Sequence, residues 1–145
     1  MLATLADINT HLPDDRLRAT DGDENIAFFQ IDVERTIKGY LSTVYSTTII
    51  ASWDEPDNTP EFIRGIAGRL IAAYWYSKQT SESIGDWDGT YPQRIYDEAM
   101  KMLNDLVLGV VDLGLTEEAG TQFSRDWFLP NSSSRRPSFT MDQNL

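Results

Sequence analysis

Residues 59–78, TPEFIRGIAGRLIAAYWYSK, form the most strongly patterned stretch of the chain. Thr59 followed by Pro60 predicts a helix start, because threonine caps orphan N–H groups and proline has no N–H to lose there. Gly65 and Gly68 lie on one side and predict the close approach of another backbone. Apolar residues recur at steps of three and four over half the circumference, which predicts the central helix of a core: Phe62, Ile63, Ile66, Ala67, Leu70, Ile71, Ala73 and Tyr74.

Three further helices are expected around this central one. The first covers residues 4–12 and begins with Thr4 and Asp7, which have the spacing of a capping box. The second covers residues 24–42 and the last covers residues 91–108, both with apolar residues at helical spacing. Four helices of this kind predict a compact helical core.

The second helix has an inner and an outer face. Phe28 and Ile31 point nearly opposite to the inner face, beside Arg35 and Lys38. These four residues predict a self-association surface, although isolated exposed apolar residues are also normal on monomers. The expected inner face consists of Ile26, Phe29, Val33, Ile37, Tyr40, Leu41 and Val44.

Two short segments favour extended structure. Residues 47–53, TTIIASW, are β-branched or aromatic, and residues 110–114, VVDLG, follow Gly109 at the expected end of the last helix. We expect these segments to pair as a short β-strand pair or hairpin. The predicted fold class is therefore mostly α, a four-helix core with a short β pair and a long extended C-terminal arm.

The chain divides at about residue 115. Residues 1–115 form the predicted helical core, and residues 116–145 hold no sustained helical or alternating pattern. This second segment is nevertheless aromatic, whereas disordered tails contain few aromatics. We expect an extended arm that binds a partner through Trp127, Phe128, Leu129, Arg135, Arg136 and Phe139. The alternative is that the arm folds back on its own domain.

Composition excludes several classes of protein. The 145 residues include 12 basic and 23 acidic ones, for a net charge of −11, which disfavours binding to phosphate backbones. Nine of the basic and 19 of the acidic residues lie in residues 1–115. The chain has no cysteine, and no apolar run approaches the 18–20 residues, roughly, that cross a bilayer. We expect a soluble intracellular protein with no membrane partner.

Motifs for catalysis are not evident. His11 is the only histidine, and no GxSxG motif or phosphate-binding glycine loop is present. Asp21, Asp23 and Asn25 have the first spacing of a calcium loop, but Ile26 stands where that loop requires glycine, so a helix cap is favoured. We therefore expect a protein that is not an enzyme and carries no cofactor or metal.

The order of these pieces resembles the bacteriophage head–tail connector, or adaptor, family of the Mu-like type. Residues 2–8, LATLADI, are similar to the opening helix of that family. Residues 39–45, GYLSTVY, and residues 66–74, IAGRLIAAY, are similar to its second and central helices. Residues 94–113 look like its last core helix with the segment that follows. The sequence departs from the family at Val44, where arginine is common, and in a longer stretch over residues 52–59.

This resemblance implies a structural virion protein of the phage neck, assembled in the host cytoplasm. Such subunits form a ring, typically of twelve copies, below the portal protein. The ring extends the channel through which genomic DNA passes without sequence-specific binding. It also provides a docking platform for a stopper or tail-terminator protein, and a C-terminal arm reaches the portal or a neighbouring subunit.

Three other functions remain open on the sequence. A phage stopper or tail-completion protein is a neck subunit of similar size but richer in β structure. A small acidic enzyme would use carboxylates on a divalent metal. A helical DNA-binding regulator is disfavoured by the net charge of −11.

Overall fold

Helices account for most of the residues that the computed structural model describes, 1–80 and 90–115. Single 3₁₀ turns form at Asp15–Leu17 and Pro56–Asn58. No β-strand occurs in the described part of the chain. The α-helices, in chain order, are α1 (Leu5–Asn9), α2 (Glu24–Leu41), α3 (Thr47–Ala51), α4 (Glu61–Thr80) and α5 (Tyr91–Val107).

Helix α4 is the centre of the core, as its wide apolar arc predicts. It packs against α5, α2 and α1, whereas α2 and α5 meet each other much less. Trp75 is also buried and its indole N–H donates to the Leu17 carbonyl oxygen at 2.6 Å, while Phe62 and Tyr74 are only partly buried. The remaining fully buried residues of α4 are Ile63, Ile66, Ala67, Gly68, Leu70, Ile71, Ala72 and Ala73.

An aromatic row fixes the directions of the three long helices. Phe29 on α2 stacks on Tyr74 of α4 with ring centroids 5.8 Å apart, and Tyr74 meets Tyr96 of α5 at 6.0 Å. At the opposite end of α2, Thr43 lies beside Val107 of α5. Helices α2 and α5 therefore run in the same direction, and their N-terminal parts lie beside the C-terminal half of α4.

The N-terminal segment closes one side of α4. The capping box of α1 is confirmed: the Thr4 hydroxyl accepts from the Asp7 N–H, and the Asp7 carboxylate accepts from the Thr4 N–H at 2.8 Å. A Cβ built on Gly68 would lie 3.0 Å from the Asp7 carbonyl oxygen. The close backbone approach predicted at Gly68 is thus confirmed, although α1 ends at Asn9 and not near Leu12.

The predicted β pair is wrong at its first segment. Residues 47–51 form α3, which Ser46 caps by accepting from the Ile49 N–H. Burial of Ile50 and Trp53 outweighs the weak helix propensity of the β-branched residues, because tertiary packing overrides local preference.

The second predicted strand is also wrong. Gly109 at φ 72° ends α5, and the Val110 N–H donates to the Asp105 carbonyl oxygen while the Gly109 N–H donates to that of Leu106. This is a Schellman motif, in which the backbone turns away from the helix without pairing to another segment. Val111, Leu113 and Leu115 then pack, partly buried, against the core.

Two smaller expectations about helix ends and faces need correction. The Thr59 hydroxyl donates to the Glu55 carbonyl oxygen at 2.8 Å, so it closes the preceding 3₁₀ turn and does not cap α4. Tyr40 was expected inward but is 46% exposed, and Gln30 is buried on that side of α2 instead.

Candidate interaction surface

The outer face of α2 is exposed as predicted. Phe28 is 66% and Ile31 52% exposed, although both are large apolar side chains that normally bury. Arg35 follows Ile31 by one turn, is exposed, and forms no ion pair with a described residue. The structure therefore places these three residues together on one solvent-facing stripe.

Lys38 differs from the other members of this predicted surface. Its ammonium group lies 2.8 Å from the Glu34 carboxylate, which also accepts an ion pair from the Met1 amine at 2.9 Å. Burial acts to raise the pKa of Glu34, but hydrogen bonds from Lys38 and the Met1 amine outweigh it, so this pKa lies below its ordinary value. The Lys38 charge is thus engaged within the fold, and it borders the surface without being free to bind elsewhere.

A groove of about 480 Å³ opens between the C-terminal halves of α2 and α5. It adjoins the exposed stripe, because Arg35 belongs to both. The sequence pattern predicts Tyr40 in the core and gives no sign of Val107 at a surface groove. The lining residues are Arg35, Thr36, Gly39, Tyr40, Thr43 and Val107.

The end of α5 adds exposed apolar area next in sequence to the groove. Leu108 is 68% and Val110 72% exposed, one and three residues after groove-lining Val107. Gly109 correctly predicts the end of α5, whereas residues 110–114, predicted as a strand, follow the helix without forming one. Leu108 and Val110 are exposed apolar side chains outside the α2 stripe.

The six predicted partner-binding residues, Trp127, Phe128, Leu129, Arg135, Arg136 and Phe139, lie outside the described residues. The predicted division at residue 115 coincides with the end of the described residues, so the segment after it stays a prediction.

The calcium-like spacing near the start of α2 serves a structural role. Asp23 caps α2, and its carboxylate accepts from the Asn25 N–H at 2.8 Å and from the Asn25 side-chain amide at 2.9 Å. Within residues 1–80 and 90–115, no three His, Cys, Asp or Glu side chains are grouped as metal ligands would be. None of the described helices is long and apolar enough to cross a membrane.

His11 is partly buried beside α5. Burial and the nearby charge of Arg69 hold the pKa of His11 below its ordinary value, and the Tyr91 hydroxyl donates to the His11 carbonyl oxygen at 2.8 Å. The surroundings of this residue are those of a packed structural side chain.

No protein-family model, no curated protein and no solved structure matches this chain.

Proposed function

We propose that this chain is a subunit of a bacteriophage head–tail adaptor ring that sits below the portal in the neck of the virion. The observation that carries the proposal is the solvent-facing stripe of Phe28, Ile31 and Arg35 on α2, in a chain whose ordered helix motifs resemble the connector family. Phe28 and Ile31 are 66% and 52% exposed, so burying the rest of each is worth about 1–2 kcal/mol, and such a stripe favours association with another surface.

In the proposed ring, the stripe of one copy packs on its neighbour. Arg35 contributes a free guanidinium, and its complement on an acidic neighbour is readily supplied, since residues 1–115 carry 19 acidic and 9 basic residues. A heterologous, head-to-tail contact of this kind closes into a ring when the rotation between neighbouring subunits is a whole-number fraction of 360°. The number of copies, twelve, is taken from the connector family.

The charge of the core supports a role around DNA. A channel wall with net negative charge repels phosphates and lets the duplex slide, whereas basic walls would hold it and release counterions. The ring proposed here carries genomic DNA through its lumen without binding it.

The helical character of the core supports an adaptor over a stopper or tail-completion protein, because those neck proteins are richer in β structure. Helices α1 to α5 make up most of the described chain. The portal on one side and a stopper or tail-terminator protein on the other are the proposed partners. The proposed arm residues, which bind the portal or a neighbouring subunit, are Trp127, Phe128, Leu129, Arg135, Arg136 and Phe139.

The test is to mix the purified full-length chain with isolated portal rings, and with DNA-filled tailless heads, of its phage. Electron microscopy is expected to show a ring of density beneath the portal. The double variant Phe28→Ser with Ile31→Ser is expected to fold but to give no ring. The matched control, Val110→Ser, removes an equally exposed apolar side chain outside the stripe and is expected to leave the ring intact.

Two results would contradict the proposal. If the folded wild-type protein gives no density at the portal vertex, the tail-completion or enzyme alternatives would be favoured. A ring that forms equally well with the double variant would remove the α2 stripe from the contact and leave the observation that carries the proposal without a role.

A further inference from the structure

The exposed face of α2 is complementary to itself. We infer that two free chains pair through this face, with their α2 helices side by side and antiparallel. The partner is a second copy of the chain, related to the first by a two-fold axis. Such a pair exists before the subunit meets the portal, and it therefore goes beyond the proposed ring.

The spacing of exposed residues along α2 defines a seam for a second helix. Four exposed residues follow one another at steps of four, three and four: Phe28, Asp32, Arg35 and Gly39. This is the spacing at which the side chains of one helix meet those of its neighbour in a coiled coil. The steps read the same in either direction. In an antiparallel pair, the first residue therefore faces the last residue of the other copy, and the two middle residues face each other.

The groove between α2 and α5 fits the Phe28 ring of the second copy. Gly39 lines this groove, and a Cβ built on Gly39 would meet no atom within 4 Å, so no packing inside the described chain requires a glycine there. The volume of about 480 Å³ lies in the range of pockets that hold drug-sized molecules, so a phenyl ring can enter. Phe28 is 66% exposed in the single chain, and the groove removes its ring from water.

The two threonines that line the groove do not oppose an apolar occupant. The Thr36 hydroxyl donates to the Asp32 carbonyl oxygen at 2.9 Å, and the Thr43 hydroxyl donates to the Tyr40 carbonyl oxygen at 2.8 Å. Both hydroxyl protons are therefore taken by the backbone of the same chain, and covering them leaves no donor without an acceptor. The remaining lining includes the Tyr40 ring and Val107.

The middle of the seam carries one charge of each sign. Asp32 and Arg35 are both exposed, and neither forms an ion pair with another described residue. In the antiparallel pair, each Asp32 carboxylate faces the Arg35 guanidinium of the other copy, which gives two equivalent ion pairs. A parallel pair would place like charges opposite each other at both positions. Charge therefore selects the antiparallel arrangement.

A contact of this symmetry closes on itself and does not continue into a ring. The pair covers Phe28 and Arg35, which the proposed ring contact uses, so it must separate before a ring forms. One helix face per copy is a small interface, of the weak class that buries less than about 1,200 Å² in total. The dimer is thus a dissociable form of the free subunit.

The association of the full-length chain in solution tests the pairing. Sedimentation equilibrium at about 0.15 M salt, which screens the general repulsion between chains of net charge −11, is expected to show monomers giving way to dimers as concentration rises to about 1 mM. Gly39→Leu is expected to abolish the dimer, because leucine occupies the place of the Phe28 ring. The same change is expected to stabilise the fold, since leucine is the better helix former, so misfolding cannot explain the loss.

Charge reversal tests the two ion pairs. Arg35→Asp and Asp32→Arg each replace two ion pairs with two like-charge contacts, so each is expected to weaken dimerisation about tenfold or more. An equal mixture of the two variants is expected to form a heterodimer, because one copy then carries two cations on the seam and the other two anions. The matched control, Lys101→Asp, makes the same change in net charge as Arg35→Asp at an exposed residue of α5 and is expected to leave the dimer intact.

Cross-linking tests the orientation, since the chain has no cysteine of its own. Glu24 and Thr43 are exposed near opposite ends of α2 and face each other across an antiparallel pair. Oxidation of a mixture of Glu24→Cys chains and Thr43→Cys chains is expected to join one of each, which mass spectrometry identifies. The control mixture replaces Thr43→Cys with Thr48→Cys, at an exposed position on α3 outside the seam, and is expected to give few mixed products.

A wild-type chain that remains monomeric up to about 1 mM would overturn the inference. So would charge-reversed variants that do not associate when mixed, cross-links between like chains, or oligomers larger than a dimer. These experiments contain no portal. A missing dimer therefore leaves the ring test standing, and a missing ring leaves the dimer standing.

Discussion

Helices α2 and α4 both contain a glycine within their span, but the surroundings of the two glycines are opposite. At Gly68 of α4, an added Cβ would press on the Asp7 carbonyl oxygen at 3.0 Å. At Gly39 of α2, an added Cβ would meet nothing within 4 Å. The first glycine is explained by packing inside the core, and the second is not.

The side chains around the two glycines follow the same division. In the N-terminal segment that packs on Gly68 through Asp7, Leu2, Ala3 and Ile8 are buried, and the Arg64 guanidinium donates to both Asp7 carboxylate oxygens at 3.0 and 3.1 Å. On the outer side of α2, Phe28 and Ile31 are exposed. The side of α4 at Gly68 is therefore covered by α1 of the same chain. The outer side of α2, in contrast, exposes apolar side chains and an open groove to solvent.

The largest effect is expected from placing the same side chain at both glycines. Gly68→Leu drives a side chain into the backbone of α1 and is expected to lower the free energy of unfolding by about 3 kcal/mol, because overpacking costs roughly 1–3 kcal/mol and this neighbour is main chain. Gly39→Leu is expected to raise it by about 0.5–1 kcal/mol, since leucine is the better helix former. Urea denaturation followed by circular dichroism measures both changes, and equal effects at the two sites would contradict the comparison.

A second prediction concerns acid stability on the closed side. Burial acts to raise the pKa of Asp7, but hydrogen bonds from Arg64 and Thr4 outweigh it and hold this pKa below the ordinary 3.8. The unfolded chain therefore binds the proton more tightly, so the stabilisation is complete above pH 3.8 and is lost as the pH falls through the lower, folded-state pKa.

Asp7→Asn is accordingly expected to lower stability at neutral pH and to flatten the loss of stability below pH 4. Thermal unfolding between about pH 2.5 and pH 7 measures both the stability at neutral pH and its loss in acid, since carboxylates titrate within this range. The control is Asp15→Asn, whose ion pair with Arg18 is largely exposed and is expected to contribute little. An unchanged acid slope in Asp7→Asn would show that the Arg64 contact does not link folding to pH.

The smallest effect on stability is expected on the open side. Phe28→Ser with Ile31→Ser removes side chains that are 66% and 52% exposed, and surface changes of this kind usually stay within about 0.5 kcal/mol. The same denaturation experiment measures the change. A loss above about 2 kcal/mol would show that this face supports the fold and is not reserved for association.

Much of the helical core followed from local patterns. The start of α2 at Glu24, the start of α5 at Tyr91 and the capping box at Thr4 match the predictions, because periodicity and capping act within a few residues. The strand predicted over residues 47–53 failed although its residues favour β structure, since burial of Ile50 and Trp53 in the core decides that segment.

The candidate site was predictable only in part. Phe28 and Ile31 are out of phase with the apolar face of α2, so their exposure was visible in the sequence. The groove was not, because it depends on α2 and α5 lying side by side, which makes Tyr40 and Val107 line the same groove. Residues that are 67 positions apart carry no local signal of being neighbours.

The sequence by itself determined helices α1, α2, α4 and α5, most of their buried positions and the exposed stripe, because these depend on interactions between residues three or four positions apart. Tertiary structure alone decided the helix at residues 47–51, the contact of Arg64 with Asp7, and the groove. Each of these depends on distant segments competing for the same buried space. Local preference is worth tenths of a kcal/mol per residue, roughly, whereas burial of a large side chain is worth several times more, so packing prevails wherever the two disagree.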